Sequence, residues 1–197
     1  MSTISYVLTG ALSAAVLATS AWAQQPSDGQ SDGLREGAGG LTVIVAIDDA
    51  GAPLLAGEAG AVAVFLHPEP LKQGLAGGDI PPEFQGQAVF FSQVLDSGAT
   101  DISFFGAERD AQAAAQINPE APNPPVFVVS ADNQPLTLPG DAGSSFIPAL
   151  TSADQAASLE QQARAEFPDA SVTVEAYGIG GVLGRMQEPG APNIRVM

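Results

Sequence analysis

The sequence predicts an α+β fold made of two similar β-β-α-β halves related by a pseudo-twofold. Two observations predict it. The strand-like runs Val43-Ile44-Val45-Ala46-Ile47 and Val126-Phe127-Val128-Val129-Ser130 each lead into an Asp-bearing turn and then Pro-Leu, at Asp49 to Leu54 and at Asp132 to Leu136. Each unit is then followed by a second strand, a helix and a third strand. Asp and Asn cap such turns with side-chain hydrogen bonds, and Gly and Pro set the backbone angles that reverse the chain.

In chain order, Tyr6 to Ala23 is an apolar stretch of signal-peptide length that ends in Ala21-Trp22-Ala23, the small-residue pattern before a cleavage site. Residues 1–23 are therefore expected to be a signal peptide. The stretch is interrupted by Thr, Gly and Ser and falls short of a firm membrane span. No twin arginine and no cysteine follow it, so the general secretory route is expected, without a lipid anchor. Residues 24–40, rich in Gly, Ser, Asp and Gln with a single Leu, are expected to form a flexible leader with nothing to bury. The folded part is expected to begin near Leu41.

The first half, 41–117, holds a second strand at Val62–Leu66 and a short helix at Glu69–Ala76. Pro70 and Gly74 are expected to shorten and break that helix. A third strand is expected at Gln87–Leu95, and an Ala-rich helix at Ala107–Ile117 closes the half. Residues 118–125, Asn-Pro-Glu-Ala-Pro-Asn-Pro-Pro, form a hinge. In the second half, 126–197, Ser145–Leu150 is extended. Ser152-Ala153-Asp154-Gln155 is a capping box that opens a helix. Ala156, Leu159, Ala163 and Phe167 form one apolar face of that helix, and Pro168-Asp169 stop it. Ser171–Tyr177 alternates polar and apolar residues, as a half-buried strand does.

Composition narrows the function. The 197 residues include 22 Asp and Glu against 6 Lys and Arg, a formal net charge of −16, with no Cys and one His. Such a charge repels phosphate backbones, which excludes nucleic acid as a partner. Lack of Cys excludes disulfides and thiolate metal sites, and one His cannot build a histidine-rich metal centre. The apolar fraction of 45% is enough for a core.

No catalytic constellation emerges. Gly178-Ile179-Gly180-Gly181 follows a strand, but too little chain remains after Gly184 for a dinucleotide site, so a turn into a short helix is expected. His67 reads as a strand-end surface residue, with Glu69 as its nearest possible partner. No serine sits in a nucleophile elbow. Asp48-Asp49 lacks calcium-loop spacing; Asp49 is expected to cap a turn, and Glu108 and Asp110 to face the positive end of their helix. Neither a cofactor nor a metal is expected.

The order of Pro125-Val126-Phe127-Val128-Val129, Leu136-Thr137-Leu138, Phe146-Ile147-Pro148, the Asp154-Gln155 helix ending at Glu166-Phe167-Pro168-Asp169, Val172-Thr173-Val174-Glu175 and Gly181-Val182-Leu183 resembles the Tic22-like family. That family comprises a subunit of the chloroplast inner-envelope translocon and its cyanobacterial and bacterial periplasmic relatives. The first half is similar too, with a strand, Asp-x-x-x-Pro-Leu, then Val-x-Val-Phe before a helix. The resemblance implies a non-enzymatic exported protein of the periplasm with a chaperone-like role in protein transport or outer-membrane biogenesis. Its partners would be unfolded or partly folded polypeptides and outer-membrane assembly components, with no integral membrane segment after signal cleavage. The alternative is a structural or assembly subunit that binds one folded partner in the cell envelope.

The doublets Phe90-Phe91 and Phe104-Phe105 lie on strand-like runs, where successive side chains point to opposite faces. One ring of each is thus available to a groove. Phe127, Phe146 and Phe167 are expected at the flanks of the second-half helix. Phe146 is the expected lining residue of a polypeptide-binding pocket there, with Phe91 its counterpart in the first half.

Overall fold

The computed structural model describes residues 32–57, 60–99 and 101–197. The expected signal segment and the start of the expected leader, residues 24–31, lie outside them. The folded part begins earlier than Leu41: Asp32–Gly37 form helix α1, Leu34 packs on the central core and Ala38 is fully buried. The apolar pair Leu34 and Ala38, four apart on one helical face, supplies the burial that a Gly- and Asp-rich composition had concealed.

The first half follows as strands β1 (Thr42–Ile47), β2 (Leu55–Ala56) and β3 (Ala61–Phe65), helix α2 (Pro68–Gly77), strand β4 (Gln85–Phe90), helix α3 (Phe91–Asp96), strand β5 (Ile102–Phe105) and helix α4 (Glu108–Ile117). β1 pairs antiparallel with β4 along its whole length and antiparallel with β3. β2 also pairs antiparallel with β3, whereas β5 pairs with β3 in parallel. The turn after β1 is capped by Asp48, not Asp49: the Asp48 Oδ1 accepts the amides of Ala50 and Ala52 at 2.9 and 2.7 Å.

Two first-half expectations are corrected. α2 runs unbroken through Pro70 and Gly74, because Pro68 and Pro70 fall in the first turn, where amides have no intrahelical acceptor to lose. The run Gln87–Leu95 is not one strand. The chain turns helical at Phe91, where the Phe90 amide donates to the Gln93 side chain at 2.9 Å and the Phe91 amide to the Leu41 carbonyl.

The second half comprises β6 (Pro125–Ala131), β7 (Gln134–Pro135), β8 (Leu138–Pro139), a single 3-10 turn at Asp141–Gly143, β9 (Ser145–Ala149), α5 (Ala153–Glu166), β10 (Val172–Gly178), α6 (Ile179–Met186) and β11 (Ile194–Val196). Part of its pairing parallels that of the first half, although its strands form two three-stranded sheets where the first half has one of five. β10 lies antiparallel on β6 as β4 lies on β1, and β11 lies parallel to β9 as β5 lies parallel to β3. Phe127 and Leu150 exchange amide bonds and so join β6 to the end of β9. In both halves a helix starts directly after the third strand, α3 after β4 and α6 after β10.

Three apolar clusters fill the molecule. The central one takes Val43, Val45, Phe91 and Val94 from the first half, and Val126, Ile179, Leu183 and Val196 from the second. An outer cluster beneath α2 holds Ala46, Ala63, Phe65 and Leu71. The other outer cluster lies under α5, with Phe127, Leu136 and the buried stripe Ala156, Leu159 and Ala163. α4 packs across this second sheet, so a first-half helix covers second-half strands. Among the described residues no helix is long and apolar enough to cross a membrane.

Candidate functional site

The two expected lining residues are core residues in the structure. Phe91 opens α3, is 1% exposed, and meets the Phe104 ring at 5.5 Å between centroids. Phe146 on β9 is 7% exposed, with the Arg195 guanidinium 4.6 Å above its ring centre. Phe91 lies opposite Phe90, on the side where Val89 packs against the central core, and it joins that core. Exposure falls instead on the other members of the doublets, Phe90 at 48% and Phe105 at 37%. Phe127 and Phe167 pack in the cluster under α5.

A cleft of about 480 Å³ lies between the halves. One wall is Ser103, Phe104 and Phe105 of β5; the others are Pro122, Asn123 and Pro124 of the hinge and Gly178–Gly181 at the start of α6. Local sequence explains each wall. The hinge prolines offer no amides, and the Asn123–Pro124 peptide is cis. Glycine permits the close approaches that join the walls. A Cβ on Gly178 would stand 2.7 Å from the Pro122 side chain, and one on Gly106 would stand 2.6 Å from that of Pro124.

β5 presents an unpaired edge to this cleft. Val62 donates to the Asp101 carbonyl and Leu66 to the Phe105 carbonyl, both at 2.9 Å. Parallel pairing alternates along the strand, so the amides and carbonyls of Ile102 and Phe104 point the other way. Among the described residues no strand pairs with that side. Phe105 stacks on Phe65 at 5.1 Å and keeps its outer surface in solvent. The arrangement offers directional backbone hydrogen bonds beside apolar surface, the requirements for holding an extended peptide.

The charged candidates are elsewhere. His67 sits at the end of β3 as expected, but its partners are distant in sequence and Glu69 is not one of them. Its Nε2 lies 3.0 Å from the Thr151 carbonyl and 3.5 Å from the Asp110 Oδ2. Asp110 is 1% exposed, and its Oδ1 accepts the Ala153 amide at 2.9 Å. The expected capping box is only half formed. Ser152 caps α5 through the Asp154 amide, while Asp110 supplies the second acceptor. Glycines 178–181 start α6, as the sequence suggests, and also line the cleft. Among the described residues no group of three or more His, Asp or Glu is placed to hold a metal ion. Tyr177, beside Gly178, bonds Glu175 through its hydroxyl at 2.6 Å. That bond, then burial and the carboxylate's charge, raise its pKa above the ordinary tyrosine value, with Arg185 opposing.

No protein-family model matches the sequence, and no curated protein matches it. Solved structures do. Tic22 from Anabaena, a protein-transport protein, superposes with a TM-score of 0.61 at 15% identity, over 84% of this chain and 92% of that one. Tic22 from Plasmodium falciparum superposes with a TM-score of 0.52 at 15% identity, over 74% of this chain and 83% of that one. The likeness covers most of the chain, and the chain has a Tic22-like fold.

Proposed function

We propose that the chain is a non-enzymatic exported protein that binds polypeptide segments in a chaperone-like way during protein transport or outer-membrane biogenesis. The observation that supports this most is the free edge of β5 in its cleft, with Phe105 beside it. An extended client segment adds to Ile102 and Phe104 as a further strand, and an apolar client side chain rests on Phe105. The signal-like N-terminus supports export by the general secretory route to the periplasm. Strong negative charge keeps such a carrier soluble while its cleft is occupied. The partly matched pairing of the strands supports reading the halves as related by a pseudo-twofold, with the two expected pockets reduced to this one cleft.

The test uses the purified chain from Gln24 onward and an unfolded outer-membrane protein whose aggregation is followed by light scattering. Severalfold molar excess of the chain suppresses aggregation, and Phe105→Asp abolishes the suppression while the melting temperature falls by only a few degrees. Unchanged aggregation with the parent chain overturns the reading. Capture of one stoichiometric folded partner, with no effect on unfolded protein, replaces it with an assembly role.

A further inference from the structure

The three helices that begin near the junction of the halves share one buried carboxylate. Asp110 lies in the first turn of α4, and its Oδ1 accepts the amide of Ala153, the first residue of α5. Its Oδ2 is buried without a hydrogen bond and faces His67, the residue that precedes α2. The positive ends of the α4 and α5 helix dipoles therefore lie beside a single negative charge, which offsets part of the cost of burying it. The imidazole closes the arrangement. With Nε2 3.0 Å from the Thr151 carbonyl, that nitrogen must carry a hydrogen and donate it, and the same N–H faces the Asp110 Oδ2 at 3.5 Å. Thr151 in turn binds Met197 through both its amide and its hydroxyl.

We propose that His67 and Asp110 form a latch that fastens the first half to the second and holds the free edge of β5 in place. The route to β5 is short. Gly106 and Ala107 alone separate β5 from α4, so pinning the first turn of α4 pins the end of that strand. His67 is suited to the task because its side chain makes no capping bond to α2. Removing it leaves α2 capped as before and breaks only the cross-connection. The neighbouring charges lie outside the latch: Arg109 reaches Asp154 at 3.6 Å on the exposed side, and Glu108 bonds Gln112.

The test is amide hydrogen exchange on the full chain, read residue by residue, and it involves no client. The latch is therefore judged independently of polypeptide binding. In His67→Ala the amides of Ala153, Ser103 and Phe105 exchange about tenfold faster or more, the loss expected when a buried carboxylate loses the group facing it, while those of β1 and β10 keep their protection. Asp110→Asn does the same, because it removes the negative charge that faces the imidazole N–H. The double variant exchanges less than additively fast at these amides, since both single changes remove the shared His67–Asp110 contact, while the bond to the Thr151 carbonyl is lost only with His67. Unchanged exchange at Ala153 in His67→Ala overturns the proposal. So does uniform acceleration across all elements, or additivity in the double variant.

Discussion

The strands β5 and β11 hold matching places in the two halves and have different neighbours. β5 lies parallel to β3 and β11 to β9, and among the described residues neither has a strand on its other edge. Helix α1 packs against β11 and α6 at once, and it comes so close that a Cβ on Gly37 would overlap the Ile194 carbonyl and the Met186 side chain. The edge of β5 has no such cover among the described residues, and a cleft stands there instead. Uncovered strand edges invite pairing with another chain, and proteins generally cover or charge them. The proposed peptide site uses the edge that is left open.

The largest effects come from the residues behind these edges. Phe91 supports β5 through the Phe104 ring, and Phe146 supports β11 through Arg195. Truncating Phe91 to Ala in urea denaturation costs about 3–5 kcal/mol, with Phe146→Ala at the lower end of that range. Equal protection of both proteins from urea, with client binding alone lost, would restore these two rings to a groove. Next comes Gly37→Val. Its side chain forces α1 off β11 at a cost of about 1–3 kcal/mol, and limited proteolysis then cuts near residues 32–40. If uncovering an edge is enough to make a binding site, this variant acquires a second peptide site at β11, seen as doubled stoichiometry in calorimetry.

Smaller changes sharpen the account of the open edge. Phe105→Ala loses the stacking on Phe65, about 0.5–1.5 kcal/mol at most, because much of the ring already faces solvent. Its melting temperature falls by a few degrees while peptide affinity falls markedly. The smallest effect is electrostatic. In Glu175→Gln the Tyr177 hydroxyl loses its carboxylate acceptor and the adjacent negative charge, so its absorbance titration moves down toward the ordinary tyrosine range. A titration that stays where it was would make burial, not Glu175, the dominant cause.

Sequence patterning revealed the elements well where one face of a segment is apolar. The stripe Ala156, Leu159, Ala163 and the alternation in Val172–Tyr177 both signal their partners through periodicity. It misled where the decisive partner is remote. Gln87–Leu95 has strand composition throughout, yet the Leu41 carbonyl and the Gln93 side chain turn it helical at Phe91. The same holds for the site. Phe90-Phe91 and Phe104-Phe105 show from sequence that one ring of each pair faces outward, but which ring does so depends on which side packs against the central core. Asp110 reads as a helix-terminal charge, and nothing local discloses that it caps a second helix 43 residues on. The cleft joins β5, the hinge prolines and the glycines before α6, three segments brought together only by tertiary packing. The signal available was the coincidence of a proline-rich hinge and a glycine-rich turn, each compatible with close backbone approach.

The central claim is that an extended polypeptide pairs with the free edge of β5. It is tested most directly by backbone amide exchange of the full chain, measured with and without a saturating unstructured peptide of alternating apolar residues. The account predicts new protection at Ile102 and Phe104, the two β5 residues whose amides point away from β3, with β11 unchanged beneath α1. Saturated binding with no added protection at Ile102 and Phe104 would contradict it.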